Sequence, residues 1–295
     1  MEKNTEKKWF DEQLYTNLED KIGYKQSFIQ SKLIASKKSE FQEIEIFENP
    51  KFGKILVLDG IIQTTEADEF FYHEMFTHTP IIAHGNVKSV LIIGGGDGGI
   101  LREVLKHKSV EKAVMIEIDG DVIDLCKTHM PKLNNGAFND SRADVRVDDG
   151  INYVKTTSEK FDLIIVDSTD PTDVGEVLFT DEFYANAKNC LNDGGVLTTQ
   201  SGVPFLQDDE LKNIQSKLKK IFKDLTFYTV PVPTYIGSFM CLSFASDNIS
   251  LKDVTLDEVT KRFNSTNISS LNYYNPKIHV ASFAQPEYIK RIIEK

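Results

Sequence analysis

The sequence predicts an α/β protein in which a parallel sheet, covered by helices on both faces, follows a small antiparallel β region. From Val87 onward, short apolar runs ("SVLIIGG", "KAVMIEID", "ADVRVDDG", "FDLIIVDSTD", "GGVLTTQ") alternate with segments of helical character. That alternation is the mark of crossover units around a buried parallel sheet. Upstream, from Tyr24 to about Gln63, apolar and polar residues instead follow the period of two expected of strands. A chain of 295 residues with 40% apolar content has room for a sizeable core, which suits one large domain with a smaller companion. The expected division is residues 1–66 and 67–295.

Each element follows from its local pattern. "FQEIEIFEN" and "GKILVLDGIIQTTE" read as strands joined by the turn signal "ENPKFG". "ADEFFYHEMFTHTPIIAHG" has helical spacing, with Phe70, Glu74 and Thr77, or Met75 and His78, on shared faces, and is expected to bridge the two parts. "GILREVLKHK", "GDVIDLCKTHM", "TDEFYANAKNCL" and "DDELKNIQSKLKKIF" read as amphipathic helices. "LTFYTVPVPTY" and "GSFMCLSFAS" read as two final strands with no long helix between them, hence antiparallel. No internal repeat or low-complexity segment stands out.

Composition narrows the partners. The net charge is −11 with no basic stripe, which argues against nucleic acid or an anionic membrane surface. The N-terminal "MEKNTEKKWFDEQ" has no apolar core of a signal peptide, and no run reaches bilayer length, so a cytoplasmic protein is expected. Cys126, Cys190 and Cys241 are far apart and form no C-x-x-C, so buried thiols are expected rather than disulfides or a zinc site. His73 and His78 are one residue off the spacing that would put two ligands on one helical face. No metal is expected.

The chemistry concentrates at the carboxyl ends of the parallel strands, where open α/β sheets bind ligands. Gly94, Gly96 and Gly99 in "GGGDGG" fit a dinucleotide-binding turn. Asp97 in its middle would repel a pyrophosphate and attract an ammonium or sulfonium. Acids also follow the other strands: Glu117 and Asp119, Asp148 and Asp149, Asp167 and Asp170. Turns and helix caps explain single acids such as Asp119, Asp148 or Asp173. They explain the whole set poorly, since a like-charge pair about 4 Å apart costs roughly 4 kcal/mol at an effective dielectric near 20. A cationic ligand would relieve that. Glu117, about twenty residues beyond the glycine turn, is placed to accept ribose hydroxyls, and Asp148 to Gly150 could meet an adenine amino group. Together these point to a sulfonium nucleoside such as S-adenosylmethionine or a derivative.

"VLIIGGGDGGILRE", "EIDGDVI", "VDDGINYV" and "IIVDSTDP", with "GKILVLDGIIQTTEADEFFYHEM" and "VPTY", resemble the spermidine synthases, a family of polyamine aminopropyltransferases. The similarity runs from about Trp9 to the closing "YYNPKIHVASFAQP". It implies a class I methyltransferase-like, doubly wound seven-stranded sheet preceded by an N-terminal antiparallel β domain. It also implies transfer of the aminopropyl group of decarboxylated S-adenosylmethionine to putrescine, giving spermidine and methylthioadenosine. The nucleoside is then a co-substrate and no cofactor is needed. By motif, Gln42, Glu117, Asp149 and Gly150 would bind the nucleoside. Tyr72, His73, Asp97, Asp167, Asp170 and Tyr235 would line the polyamine side, with Asp167 as proton acceptor. A homodimer or homotetramer is implied. The chain departs from the family after the Asp pair, where the family continues "PIGPA" and "PTDVGEVLF" here brings in Thr172, Asp173 and, in place of a Pro, Val174. "QSGVPFL" differs as well.

The chemistry fits these residues. An alkylammonium has a pKa of about 10.4, so freeing its lone pair at pH 7 costs roughly 4 to 5 kcal/mol. Asp167, crowded by other acids, could take the proton, Asp170 could position the amine, and Asp97 could hold the aminopropyl ammonium while repelling the carboxylate of ordinary S-adenosylmethionine. Cadaverine, agmatine or spermidine are alternative acceptors. A methyltransferase would share the sheet and Glu117 but not need Asp97 or the paired acids of "DSTD". A polyamine-binding module without turnover would not need Asp167, Asp170 and Tyr235 together.

Overall fold

The structure, a computed structural model, describes residues 7–14, 23–168, 180–237, 239–247 and 254–294. Asp170, Asp173 and Val174 lie outside these residues.

The N-terminal part is antiparallel throughout. β1 (Trp9–Asp11) pairs with β2 (Ser27–Ile29). β3 (Lys32–Lys38), β4 (Glu43–Asn49), β5 (Gly53–Leu58) and β6 (Ile61–Thr65) form a four-stranded meander in sequence order. The run "ILVL" in β5 is apolar without interruption because both faces of this sheet are covered. Ile44, Ile46, Leu56 and Leu58 pack on Val122, Cys126, Met130 and Leu133. Phe47, Ile55, Val57 and Ile62 pack with Phe28 on the other side.

α1 (Glu69–His84) leads into the large sheet and ends on Gly85 in the left-handed conformation. Every residue from Tyr72 to Ala83 is buried, so no single polar face marks it. Five βα units follow: β7 (Ser89–Gly94) with α2 (Gly99–Lys106), β8 (Lys112–Glu117) with α3 (Gly120–His129) and the short α4 (Pro131–Asn134), and β9 (Ala143–Val147) with α5 (Gly150–Thr156). β10 (Phe161–Asp167) and α6 (Asp181–Asn189), then β11 (Leu191–Thr199) and α7 (Asp208–Ile221), complete them. β12 (Asp224–Pro231) and β13 (Phe239–Ser246) close the sheet as an antiparallel pair.

The order across the seven strands is β9-β8-β7-β10-β11-β13-β12, with β13 antiparallel to both neighbours. Alternate residues of each central strand feed two cores: Val90 and Ile92 face α1 and α2, while Leu91 and Ile93 face α5 to α7. The order reverses between β7 and β10, which run parallel with Gly94 opposite Asp167. That is the switch point at which such sheets open a crevice. The chain ends in α8 (Leu256–Thr266), α9 (Pro276–Ser282) and α10 (Glu287–Ile293), elements that the sequence pattern left unassigned. Buried Glu74 of α1 anchors this tail by accepting the backbone N–H groups of Asn272, Tyr273 and Tyr274, each at 2.8 Å.

Candidate active site

A cavity of about 190 Å³ lies over the switch point, between the strand tips, α1 and the N-terminal meander. Of the residues expected at the site, Gln42, Tyr72, His73, Asp97, Glu117, Asp149, Gly150, Asp167 and Tyr235 all line it. Asp170 falls outside the described residues. The glycine turn is demanded by close approach rather than by a phosphate. A Cβ on Gly94 would stand 1.9 Å from the carbonyl oxygen of Asp167, and one on Gly99 would stand 2.2 Å from Cε1 of His73. Neither strand β10 nor the His73 ring could sit where it does beside a larger residue.

One end of the cavity gathers Gln42, Glu117, Asp149 and Gly150. Glu117, at the tip of β8, accepts the backbone N–H of Gly96 at 3.1 Å and of Asp119 at 2.9 Å. Burial nevertheless pushes its carboxyl up to about 7, since desolvation penalises the charged form. Asp149 caps α5 by accepting the N–H of Ile151 at 2.8 Å, and Gly150 opens that helix.

The acids do not all converge. Asp119 turns away from the cavity: it caps α3 through the N–H of Asp121 at 3.0 Å and takes Ser39 Oγ at 2.7 Å and Gln42 Nε2 at 2.9 Å from the meander. It is a cap and a tie between the two parts of the chain. Asp148 likewise lies outside the lining, its carboxylate accepting the N–H of Asp149.

The other end holds Asp97, His73, Tyr72, Asp167 and Tyr235. Tyr72 Oη donates to Asp167 Oδ1 at 2.8 Å, and its ring meets that of Tyr235 edge-on at 5.9 Å. Tyr235, in the β12–β13 connection, donates to the carbonyl of Gln63 at 2.7 Å. Burial, and then the nearby Asp97 carboxylate, push the Asp167 carboxyl up to about 6, against the opposing pull of His73 and Tyr72. Asp97 behaves in the opposite way. Burial raises its pKa, but His73 at 3.5 Å and the Gly99 N–H at 2.6 Å outweigh it and hold the group below its ordinary value.

Pattern reasoning missed several lining residues. Glu12, buried, reaches in from the β1–β2 region, its carboxylate accepting from Gln26 Nε2 at 2.6 Å and the N–H of Ile62 at 3.0 Å. Gln63, Gln200 and Gln207 also line the cavity. Gln200 Oε1 accepts the N–H of Gly202 at 2.9 Å, which leaves its buried amide nitrogen without a partner among the described residues. Nothing in "WFDEQ" marks Glu12, whereas Gln63 and Gln200 lie inside "GIIQTTEADEFFYHEM" and "QSGVPFL", stretches that the resemblance singles out without giving either glutamine a role.

The fold is that of a class I methyltransferase-like transferase with an acid-lined cavity at the switch point. A family profile described as "Spermine/spermidine synthase domain" matches residues 69–258, and one described as "Spermidine synthase tetramerisation domain" matches residues 15–66. The chain is 49% identical over 273 residues to a polyamine aminopropyltransferase of Pseudomonas aeruginosa, covering 92% of this chain and 95% of that one. It is 50% identical over 283 residues to one of Buchnera aphidicola, covering 96% of each. A spermidine synthase crystallised in complex with the transition-state analogue AdoDATO superposes with a TM-score of 0.91 at 39% identity, over 98% of this chain and 96% of that one. The spermidine synthase of Thermotoga maritima gives 0.88 at 38%, over 98% and 95%. The chain belongs to the spermine/spermidine synthase family and is an aminopropyltransferase. Among the described residues no helix is long and apolar enough to cross a membrane.

Proposed function

We propose that the protein transfers the aminopropyl group of decarboxylated S-adenosylmethionine to putrescine, yielding spermidine and methylthioadenosine. The observation that carries this reading is that one cavity brings together Asp97, which faces His73 and accepts the Gly99 N–H, and Asp167, which among the described residues has no such cation against it and accepts from Tyr72 Oη. The first carboxyl lies below its ordinary pKa and burial pushes the second up to about 6. A permanent anion suits the primary ammonium of the donor, and a carboxylate poised near neutrality suits a general base. Gln42, Glu117, Asp149 and Gly150 would hold the nucleoside, with Glu117 on the ribose hydroxyls. Tyr72, His73, Tyr235 and the undescribed Asp170 would complete the polyamine side.

The steps balance with no further cofactor. Asp167 accepts a proton from one ammonium of putrescine. The freed nitrogen attacks the methylene carbon bonded to sulfur, a C–N bond forms, the C–S bond breaks, and its electron pair returns to sulfur as a neutral thioether. One proton is released overall, through Asp167. Because the leaving group needs little help, catalysis rests on freeing the amine and on aligning nitrogen, carbon and sulfur.

The match of residues 15–66 to a tetramerisation domain supports assembly of the chain as a homodimer or homotetramer. The test of function is product analysis by mass spectrometry after incubation with decarboxylated S-adenosylmethionine and putrescine, cadaverine, agmatine or spermidine. Ordinary S-adenosylmethionine runs in parallel. Methylthioadenosine with spermidine, and putrescine the best acceptor, is the expected result. A different best acceptor would move the assignment within the family, and methylated product from the parallel sample would overturn it.

A further inference from the structure

Behind the wall of the cavity runs a chain of charged side chains that the reaction does not itself require. It begins at His73, whose two ring nitrogens both face carboxylates. Nδ1 lies 2.6 Å from Glu69 Oε2, one turn earlier on α1, and Nε2 lies 3.5 Å from Asp97 Oδ2. The same Glu69 oxygen accepts Arg102 Nη2 at 2.7 Å, so it is ionised and can only accept from the ring as well. Arg102 is locked in turn by Glu103, whose Oε1 takes Arg102 Nε and Lys106 Nζ, each at 2.7 Å. The next histidine on α1 differs. His78 Nε2 meets Glu103 Oε2 at 2.9 Å, but its Nδ1 meets the His107 ring at 2.8 Å, so only one of its nitrogens faces a carboxylate.

A neutral imidazole has one N–H and one lone pair. In either neutral tautomer of His73 that lone pair would point at an ionised oxygen. Only the imidazolium meets Glu69 with an N–H at 2.6 Å and Asp97 with positive charge at 3.5 Å. The groups facing the ring are Glu69 and Tyr72 from its own helix, Asp97 from the turn after β7, Arg102 from α2 and Asp167 from the end of β10. Burial works against the charge on His73, yet Asp97 and Glu69 together raise its pKa to about 10.

We propose that Glu69, clamped by Arg102, is a positioning residue: by occupying Nδ1 of His73 it keeps the ring an imidazolium, and that cation keeps Asp97 ionised for the ammonium of the donor. The inference rests on the aminopropyl-transfer reading for its purpose, but not for its geometry. A carboxylate as enclosed as Asp97, next to Asp167, would otherwise be driven to take up a proton, and a neutral acid discriminates poorly for a cation. Neither Glu69 nor Arg102 lines the cavity; Glu69 acts through the His73 ring it touches, whereas the charge of Arg102 also favours the ionised form of Asp97 directly.

The test is 15N NMR of histidine-labelled full-length protein, paired with the pH dependence of transfer. In the wild type both ring nitrogens of His73 should remain protonated from pH 6 to 8. Glu69→Gln keeps an oxygen for Nδ1 but removes the charge. It should bring the titration of His73 into that range, raise KM for the donor about 10-fold at pH 8 with a smaller change at pH 6, and change kcat less than KM. Glu103→Gln, which leaves the Arg102–Glu69 pair in place, should lower thermal stability and leave the His73 signals and the pH profile as they were; a shift of the His73 signals as large as that in Glu69→Gln would overturn the assignment to Glu69. An unprotonated ring nitrogen of His73 in the wild type at pH 7 would overturn the proposal. So would a Glu69→Gln protein whose ring signals and pH profile match the wild type. If no preparation transfers an aminopropyl group, the functional reading fails while the wild-type ring signals still decide the charge on His73.

Discussion

Asp97 and Asp167 are the same side chain at the ends of adjacent parallel strands, and they are set to opposite tasks. Asp97 has an imidazole on one side and a backbone N–H on the other, and its pKa falls. Asp167 has a phenol at 2.8 Å and the charge of Asp97 nearby, and its pKa climbs to about 6. Both lose solvent, so burial alone does not separate them. The presence or absence of a full countercharge does. The pair teaches that assigning base and anchor requires the direct partners of each carboxylate, His73 for Asp97 and Tyr72 for Asp167.

The largest effect should come from removing the base. Asp167→Asn is expected to lower the rate of transfer by about 10²- to 10⁴-fold, with donor affinity by calorimetry little changed. A near wild-type rate would make Asp167 a bystander. The same substitution should stabilise the unliganded protein. A raised pKa in the folded state favours folding below the unfolded value of about 3.9, and that benefit is lost as pH rises through about 6. The ionised group thus weighs against the fold at pH 8. Thermal midpoints of the variant should exceed wild type there, and the gain should shrink at pH 5.

Removing the anchor should come next. Asp97→Asn is expected to raise KM for the donor by roughly 10- to 100-fold, the loss of a charge-assisted contact worth about 1.5–3 kcal/mol, with a smaller change in kcat. It should also lower the acid midpoint of the pH–rate profile, because the like charge on Asp167 is gone. Glu117→Gln should weaken donor binding by about 10-fold through the ribose, with no effect on that midpoint. A donor affinity unchanged in Glu117→Gln would take Glu117 out of the nucleoside site.

The two carboxylates also mark how far sequence carries. The order of apolar runs reveals the parallel strands, and the acids after them bring Asp97, Glu117, Asp149 and Asp167 to one place, because strand ends in such a sheet converge at the switch point. Asp119 shows the limit. In sequence it is one more acid after a strand, and only in space does it cap α3 and bind Ser39 and Gln42. Glu12 shows another, because a cavity wall supplied from the β1–β2 region depends on how the parts pack, which no local spacing encodes. The tail helices went unassigned for the same reason: Glu74 holds the segment before α9 by its backbone, a contact spanning about two hundred residues of chain. Acidic clustering led to the expectation that a cationic ligand relieves the repulsion. His73 and Arg102 supply part of the positive charge from within, and that could not be seen without the ring orientation.

The smallest effect is the most discriminating for the comparison. Tyr72→Phe deletes one hydrogen bond to Asp167 and leaves the ring that packs on Phe76 and Tyr235. A hydrogen bond to a charged group contributes about 1.5–3 kcal/mol, and one pKa unit is about 1.36 kcal/mol. Since Tyr72 favours the ionised form, its loss should move the acid midpoint of kcat/KM up from about 6 by about one unit. At pH 8 the rate should stay within about 10-fold of wild type, because Asp167 would still be mostly ionised there. The shift is opposite in sign to that expected for Asp97→Asn. If both variants moved the midpoint in the same direction, the titrating group would not be Asp167, and the division of labour between the two carboxylates would have to be redrawn.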